Sequence, residues 1–136
     1  MSRVAIVTGA NKGIGFETTR AISKCGKFKI VYLTSRNEEL GMKALNELKR
    51  DSNISAELKY HQLDITNENS ILEFEKYILN THGGFDCLVN NAAMGPDLTR
   101  PGQKGTHEET EALMKTNFWG TLNLMKALFP HIKVNH

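Results

Sequence analysis

Three glycines at fixed intervals, set between an apolar strand and a helix, constrain this chain more than any other feature. Arg3 to Val7 reads as a short apolar strand, and Thr8-Gly9-Ala10-Asn11-Lys12-Gly13-Ile14-Gly15 follows it directly. A turn of this kind points backbone amides at an anion from a helix N-terminus. Gly9 would make the tight turn, Gly13 would let a ligand approach the backbone, and Gly15 would let the helix pack on the sheet. The spacing is G-x3-G-x-G rather than G-x-G-x-x-G. No Gly-Lys-Ser/Thr closes it, so a P-loop GTPase or kinase is excluded. Three glycines alone could also be a tight turn without a ligand. The complete strand–turn–helix–strand unit around them argues for the phosphate-binding reading.

The rest of the chain repeats that unit. Gly13 to Lys24 is predicted helical, with Gly26 at its C-terminal end. Lys29 to Thr34 is a second strand, and Asn37 to Arg50 an amphipathic helix carrying Leu40, Ala44, Leu45 and Leu48 at helical spacing. Glu57 to Leu63 is a third strand. Thr66 or Asn67 caps a helix whose Ile71, Leu72, Phe74, Ile78 and Leu79 face a core, and Gly83-Gly84 ends it. Phe85 to Asn90 is a fourth strand. A polar loop with Pro96 and Pro101 leads to one long helix from about Glu108 to Phe129, before Pro130. Strands alternating with helices in this way imply right-handed crossovers and a parallel α/β sheet covered on both faces. The expected strand order is 3-2-1-4, the first half of a doubly wound fold.

Composition narrows the function. The 136 residues are 40% hydrophobic and 24% charged, with a net charge of +2 and both signs mixed along the chain. That is ordinary for one globular domain, and it lacks the basic face or tract of a nucleic-acid or membrane-surface protein. No apolar run approaches the roughly 18 residues that span a bilayer, and the N-terminus has no signal-peptide organisation. Cys25 and Cys87 have no metal-like spacing and read as reduced thiols, so a cytoplasmic protein is expected.

Further motifs stand in order behind the glycine turn: Asp64, Asn90-Asn91-Ala92 and Asn117. With Thr8-Gly9-x-x-x-Gly13-x-Gly15 they match the ordered motifs of the short-chain dehydrogenases/reductases over nearly the whole chain. Asn11-Lys12-Gly13-Ile14-Gly15, Thr34-Ser35-Arg36, His61-Gln62-Leu63-Asp64-Ile65 and Met114-Lys115-Thr116-Asn117-Phe118-Trp119-Gly120-Thr121 resemble the NADPH-dependent carbonyl reductases of that family more closely still. Ala93 departs from the pattern, since the family usually has glycine there; its methyl is expected to be tolerated while narrowing the nicotinamide side. The resemblance implies a three-layer, Rossmann-type doubly wound parallel sheet. It implies hydride transfer from NADPH to a small ketone or aldehyde. It also implies cofactor contacts from Gly9, Asn11, Lys12, Gly13, Ile14, Gly15, Arg36, Leu63, Asp64, Ile65, Asn90 and Ala92.

The end of the second strand decides between the two nicotinamide coenzymes. An NAD site places a carboxylate there for the ribose 2′-hydroxyl. This chain has Thr34-Ser35-Arg36 instead. Arg36 can meet a 2′-phosphate, and Lys12 can approach it from the glycine turn. One charge-assisted contact is worth roughly 1.5–3 kcal/mol, about ten- to over a hundredfold in favour of NADPH. Arg36 and Lys12 as plain solvated charges are the alternative. Asp64 is either an adenine contact or a helix cap, and Asn90 either a sheet-stabilising residue or a ligand contact.

In the family a tyrosine donates the proton, and a lysine four residues later lowers its pKa and binds the nicotinamide ribose. A serine orients the carbonyl, and an asparagine in the long helix supports a water relay. Only the asparagine has a match here, Asn117; a structural kink is its other reading. Tyr32, Tyr60 and Tyr77 are followed four positions on by Arg36, Asp64 and Thr81, so none forms Tyr-x-x-x-Lys. Residues 1–136 are therefore expected to be a single, incomplete cofactor-binding domain without the catalytic portion. Turnover would be lower by the roughly 10²–10⁴-fold that a positioned acid contributes. Truncation would expose Phe85, Cys87, Leu88 and Val89 on an edge strand, beside a long helix apolar around most of its circumference (Leu113, Phe118, Trp119, Leu122, Met125, Leu128, Phe129). Self-association or a complementary segment is expected there. The competing function is a non-catalytic nucleotide-binding or protein-interaction module built on the same fold.

Overall fold

The computed structural model describes residues 2–95, 102 and 104–134. The expected loop prolines Pro96 and Pro101 lie outside those residues. Elements run β1 (Val4–Val7), α1 (Gly13–Lys24), β2 (Ile30–Ser35), α2 (Glu38–Leu48), β3 (Glu57–Gln62), α3 (Glu68–His82) and β4 (Cys87–Val89). The four strands form one parallel sheet, as the alternation of strands and helices requires, in the order β3-β2-β1-β4 expected of the first half of a doubly wound fold.

Strand periodicity divides the core in two. Successive side chains of a strand point to opposite faces. Val4 and Ile6 of β1, with Ile30 and Tyr32 of β2, pack beneath α3 with Phe74 and Ile78. Ala5, Val7, Val31 and Leu33 face the other way, against Phe16 of α1 and Ala44, Leu45 and Leu48 of α2. Both central strands are therefore apolar on both faces, as a buried parallel sheet demands.

Each helix start has a local cause. Asn37 caps α2 by accepting from Leu40 N (2.9 Å), and Asn67 caps α3 by accepting from Ser70 N (3.2 Å). The α3 cap thus falls to Asn67 rather than Thr66. Asp64 is not the cap; its Oδ1 accepts from the Thr66 backbone N–H and hydroxyl (2.9 and 2.7 Å), closing a turn ahead of the helix. Gly83 ends α3 in the left-handed region at φ 67°.

Beyond β4 the structure departs from expectation twice. The single helix expected from Glu108 to Phe129 runs without interruption but changes register: α4 (His107–Met114) passes into a π-helical stretch Lys115–Gly120 and then α5 (Thr121–Leu128), closed by a 3₁₀ turn Phe129–His131. A capping box of Thr106 and Glu109 starts α4. Gly120 ends the π stretch pressed on Ile65, where a Cβ would stand 2.9 Å from the Ile65 carbonyl oxygen. Leu124 and Leu128 are fully buried against the α3 face of the sheet, whereas Phe118, Trp119 and Phe129 are exposed. The second departure concerns Phe85, expected on an open edge. Its N–H donates to His131 O and its carbonyl accepts from Lys133 N, in a parallel bridge to Ile132, and its side chain is buried. The turn after α5 returns the chain alongside it. Among the described residues, the open edge begins at Cys87.

Candidate functional site

The glycine turn occupies the carboxyl end of β1, at the mouth of the parallel sheet. Gly9 has φ 60° and Gly13 φ 58°, a region that L side chains rarely adopt. The three glycines meet different surroundings. A Cβ at Gly9 would lie 2.7 Å from Ala92 Cα. One at Gly15 would collide with the Asn91 side-chain nitrogen and stand 2.7 Å from Gly9 O. One at Gly13 would meet nothing within 4 Å. Gly9 and Gly15 are thus glycine because the protein fills the space. Gly13 faces outward.

The α1 N-terminus is left open. Its N-cap, Lys12, has extended backbone and makes no side-chain cap, and no acidic residue occupies the first turn. The amides opening α1 have no acceptor within the helix, and the helix dipole favours a negative charge there. Lys12 and Ile14 are exposed, Ile14 at 81%.

Thr8 and Asn91 lock this turn to the end of β4. Thr8 Oγ1 accepts from the N–H groups of Asn91 and Ala92 (both 3.0 Å) and donates to Val89 O (3.3 Å). Asn91 Nδ2 donates to Thr8 O (3.0 Å) and Gly9 O (3.1 Å). Ala10 N–H reaches across to Thr34 O at 2.9 Å, tying the turn to β2. Sheet stabilisation, which the sequence offered to Asn90, is carried by Asn91; Asn90 is exposed beside it. Both Thr8 and Asn91 sit inside the motifs, yet only their partners show what they do.

At the end of β2, Arg36 is exposed, and among the described residues neither it nor Lys12 pairs with a carboxylate. At the end of β3, Leu63 and Ile65 are buried in the core and Asp64 between them is half-buried. Asn117 stands in the π stretch. Its Oδ1 accepts from Met94 N (2.7 Å) and its Nδ2 donates to Met94 O (2.8 Å), a two-way clamp on the chain beyond β4. π turns of this kind re-aim side chains and concentrate at functional sites.

The three tyrosines are engaged elsewhere. The Tyr32 hydroxyl donates to the Tyr77 hydroxyl (3.1 Å) and lies 2.8 Å from His82 Nε2; burial and Tyr77 push the Tyr32 phenol far up. Tyr60 lies against Ser35 and Asn37. Among the described residues no group of three or more His, Cys, Asp or Glu could hold a metal ion, and no helix is long and apolar enough to cross a membrane. Cys25 and Cys87 are free thiols, and burial pushes the Cys87 thiol up.

The family model described as short chain dehydrogenase matches residues 3–136. The chain belongs to that family. Carbonyl reductase (NADPH) 1 of Mus musculus is 43% identical over 131 residues, covering 96% of this chain and 45% of that protein. Menthone neomenthol reductase from Mentha piperita superposes with a TM-score of 0.83 at 27% identity, covering 99% of this chain and 57% of that one. A metagenomic short-chain oxidoreductase solved in complex with NADP gives a TM-score of 0.78 at 31% identity, over 95% of this chain and 56% of that one. This short-chain dehydrogenase chain spans about half the length of such relatives.

Within this member of the family, the geometry fits an anionic ligand at the glycine turn. The backbone is open at Gly13 and closed by protein at Gly9 and Gly15, the helix start is uncapped, and Lys12 at that start and Arg36 after β2 are both exposed, with no carboxylate partner among the described residues. Arg36, Asp64, Ala92 and Asn90 follow the carboxyl ends of β2, β3 and β4, where ligands of open parallel sheets bind.

Proposed function

We propose that this chain binds NADPH and is the coenzyme-binding part of a short-chain carbonyl reductase that reduces a small ketone or aldehyde. The observation that carries the reading is the pairing of an uncapped α1 start, open at Gly13, with exposed Arg36 at the end of β2. The mouse carbonyl reductase (NADPH) relative supports the coenzyme and the reaction class. When bound, NADPH supplies the hydride. The amides of Lys12 to Gly15 hold the pyrophosphate, with Gly9 shaping the turn and Asn11 and Ile14 at its lip. Arg36 and Lys12 hold the 2′-phosphate. Asp64 meets the adenine; because Leu63 and Ile65 bury their side chains, they contribute through backbone alone. Asn90 and Ala92 line the crevice, and Asn117 holds the Met94 segment beside the reaction site. Free thiols and mixed surface charge support a cytoplasmic location.

Calorimetric titration with NADPH and with NADH tests the reading. NADPH is expected to bind at least about tenfold more tightly, since one charge-assisted contact supplies that much. Equal affinity for the two would sink the phosphate clamp, and no binding of either would sink the coenzyme reading. With no Tyr-x-x-x-Lys in these residues, carbonyl reduction by this chain alone is expected to be slower by about 10²–10⁴-fold than that of a form supplying the acid.

A further inference from the structure

Arg36 carries the coenzyme preference in the reading above, yet no described partner holds its guanidinium. A long, exposed side chain has many rotamers, so the direction in which its backbone launches it decides how much entropy is lost on meeting a phosphate. The structure holds that backbone tightly. Ser35 O accepts from Leu63 N (2.9 Å) and from the Tyr60 hydroxyl (3.2 Å). Arg36 O accepts from Gln62 Nε2 at 2.9 Å. Asn37 O accepts from Ser35 Oγ (2.8 Å) and Gly41 N (3.0 Å), with the Tyr60 hydroxyl 3.4 Å away. Three consecutive carbonyls on the turn from β2 to α2 are therefore engaged, two of them by side chains of the neighbouring strand.

Gly41 makes this possible. A Cβ there would collide with the Tyr60 ring and stand 2.5 Å from Ser35 Oγ, so only glycine lets Tyr60 lie between β3 and α2. The Tyr60 phenol is protonated at neutral pH and so available as a donor, and burial pushes its pKa further up. Gln62 pairs in register with Ser35 at the end of the edge strand and is exposed. It fills no core space, and its bond to Arg36 O is the contact the structure records for its side chain.

We propose that Gln62, assisted by Tyr60, is a positioning residue for coenzyme selectivity: it pins the Arg36 carbonyl so that the guanidinium is launched toward the 2′-phosphate. The inference rests on the reading of Arg36 given above. It adds to the cation that carries the selectivity two neutral side chains on a different strand.

The test is calorimetric titration of the full chain with NADPH and NADH for the parent, Gln62→Ala, Tyr60→Phe, Arg36→Ala and the Arg36→Ala/Gln62→Ala double variant, with a thermal melt of each. Gln62→Ala is expected to weaken NADPH binding about three- to tenfold, the worth of one hydrogen bond. NADH binding should stay within about twofold of the parent. Tyr60→Phe keeps the ring and is expected to act in the same direction. In the Arg36→Ala background, Gln62→Ala should leave the NADPH/NADH ratio unchanged, because there is nothing left to aim. A ratio unaffected by Gln62→Ala, or equal losses for both coenzymes, overturns the proposal while an effect of Arg36→Ala still upholds the phosphate clamp. A ratio unaffected by Arg36→Ala, or no binding of either coenzyme, overturns the underlying reading and this proposal with it.

Discussion

Gly13 and Gly15 lie two positions apart, and a methyl would harm them for different reasons. Gly13→Ala meets no neighbour but imposes an L side chain at φ 58°, a strain of about 1–2 kcal/mol. Its methyl would project into the open space where the proposed coenzyme would lie. Gly15→Ala drives a methyl into Asn91 and the Gly9 carbonyl, overpacking of about 1–3 kcal/mol with loss of the turn's shape. Gly13→Ala is thus expected to reduce NADPH affinity out of proportion to a small drop in melting temperature, and Gly15→Ala to lower both. Calorimetry beside a thermal melt checks the split. Asn91→Ala strips the donor from Thr8 O and Gly9 O and is expected to destabilise the chain by about 1–3 kcal/mol in urea unfolding. Asn91→Asp should be no better, since a carboxylate cannot donate. Sequence position told Asn90 and Asn91 apart poorly, because adjacent residues leaving a strand face opposite ways and only the fold shows which one meets β1.

Helix α1 is fastened to the end of α2 by Asp51, which accepts from Arg20 Nη1 at 2.9 Å and pairs with Lys24 Nζ at 2.7 Å. Bonds from Lys24, from the Asn53 backbone and from Arg20 hold its carboxyl well below the usual carboxylate range. A carboxylate whose folded pKa is depressed adds stability that is complete above its unfolded pKa, about 3.9, and is lost as pH falls below that value toward the folded one. Asp51→Asn is therefore expected to lower the urea midpoint at pH 7 and to converge with the parent as pH drops below about 4. A constant gap across that range would rule the mechanism out. The π stretch makes a second prediction at this scale. Asn117→Ala removes both bonds to Met94, so the Met94 amide should lose hydrogen-exchange protection while the amides of β1 keep theirs. Apolar spacing predicted one helix through this region. The π register within it accompanies Asn117 and Gly120 meeting Met94 and Ile65, contacts that periodicity along one helix cannot encode.

Across the whole molecule, two apolar surfaces remain open among the described residues. One is the outer side of the π stretch and α5, where Phe118 and Trp119 meet edge-on at 4.9 Å and are each about half exposed, with Met114, Met125 and Phe129 also exposed. The other is the outer edge of β4 beyond the Phe85–Ile132 bridge. Contiguous exposed apolar surface and an open strand edge both favour association. Light scattering is expected to show concentration-dependent self-association at high micromolar protein, reduced by Trp119→Ser. A strict monomer there would contradict it.

The alternation of apolar strands and amphipathic helices determined the parallel sheet, because both periods are local and each strand's apolarity reports burial on both faces; its order followed from the doubly wound fold that the ordered motifs implied. The glycine turn was legible for the same reason: strand, glycines and helix are consecutive, so the chemistry they build needs no distant partner. What only the tertiary structure decided lies between elements. It placed Thr8 and Asn91 across the β1–β4 gap, sank Leu63 and Ile65 into the core, opened a π register at Asn117, and set Tyr60 and Gln62 against the carbonyls on either side of and at Arg36. Those contacts join residues 20 to more than 80 positions apart, and side-chain direction at the end of a strand is set by the neighbour it meets rather than by the residues beside it.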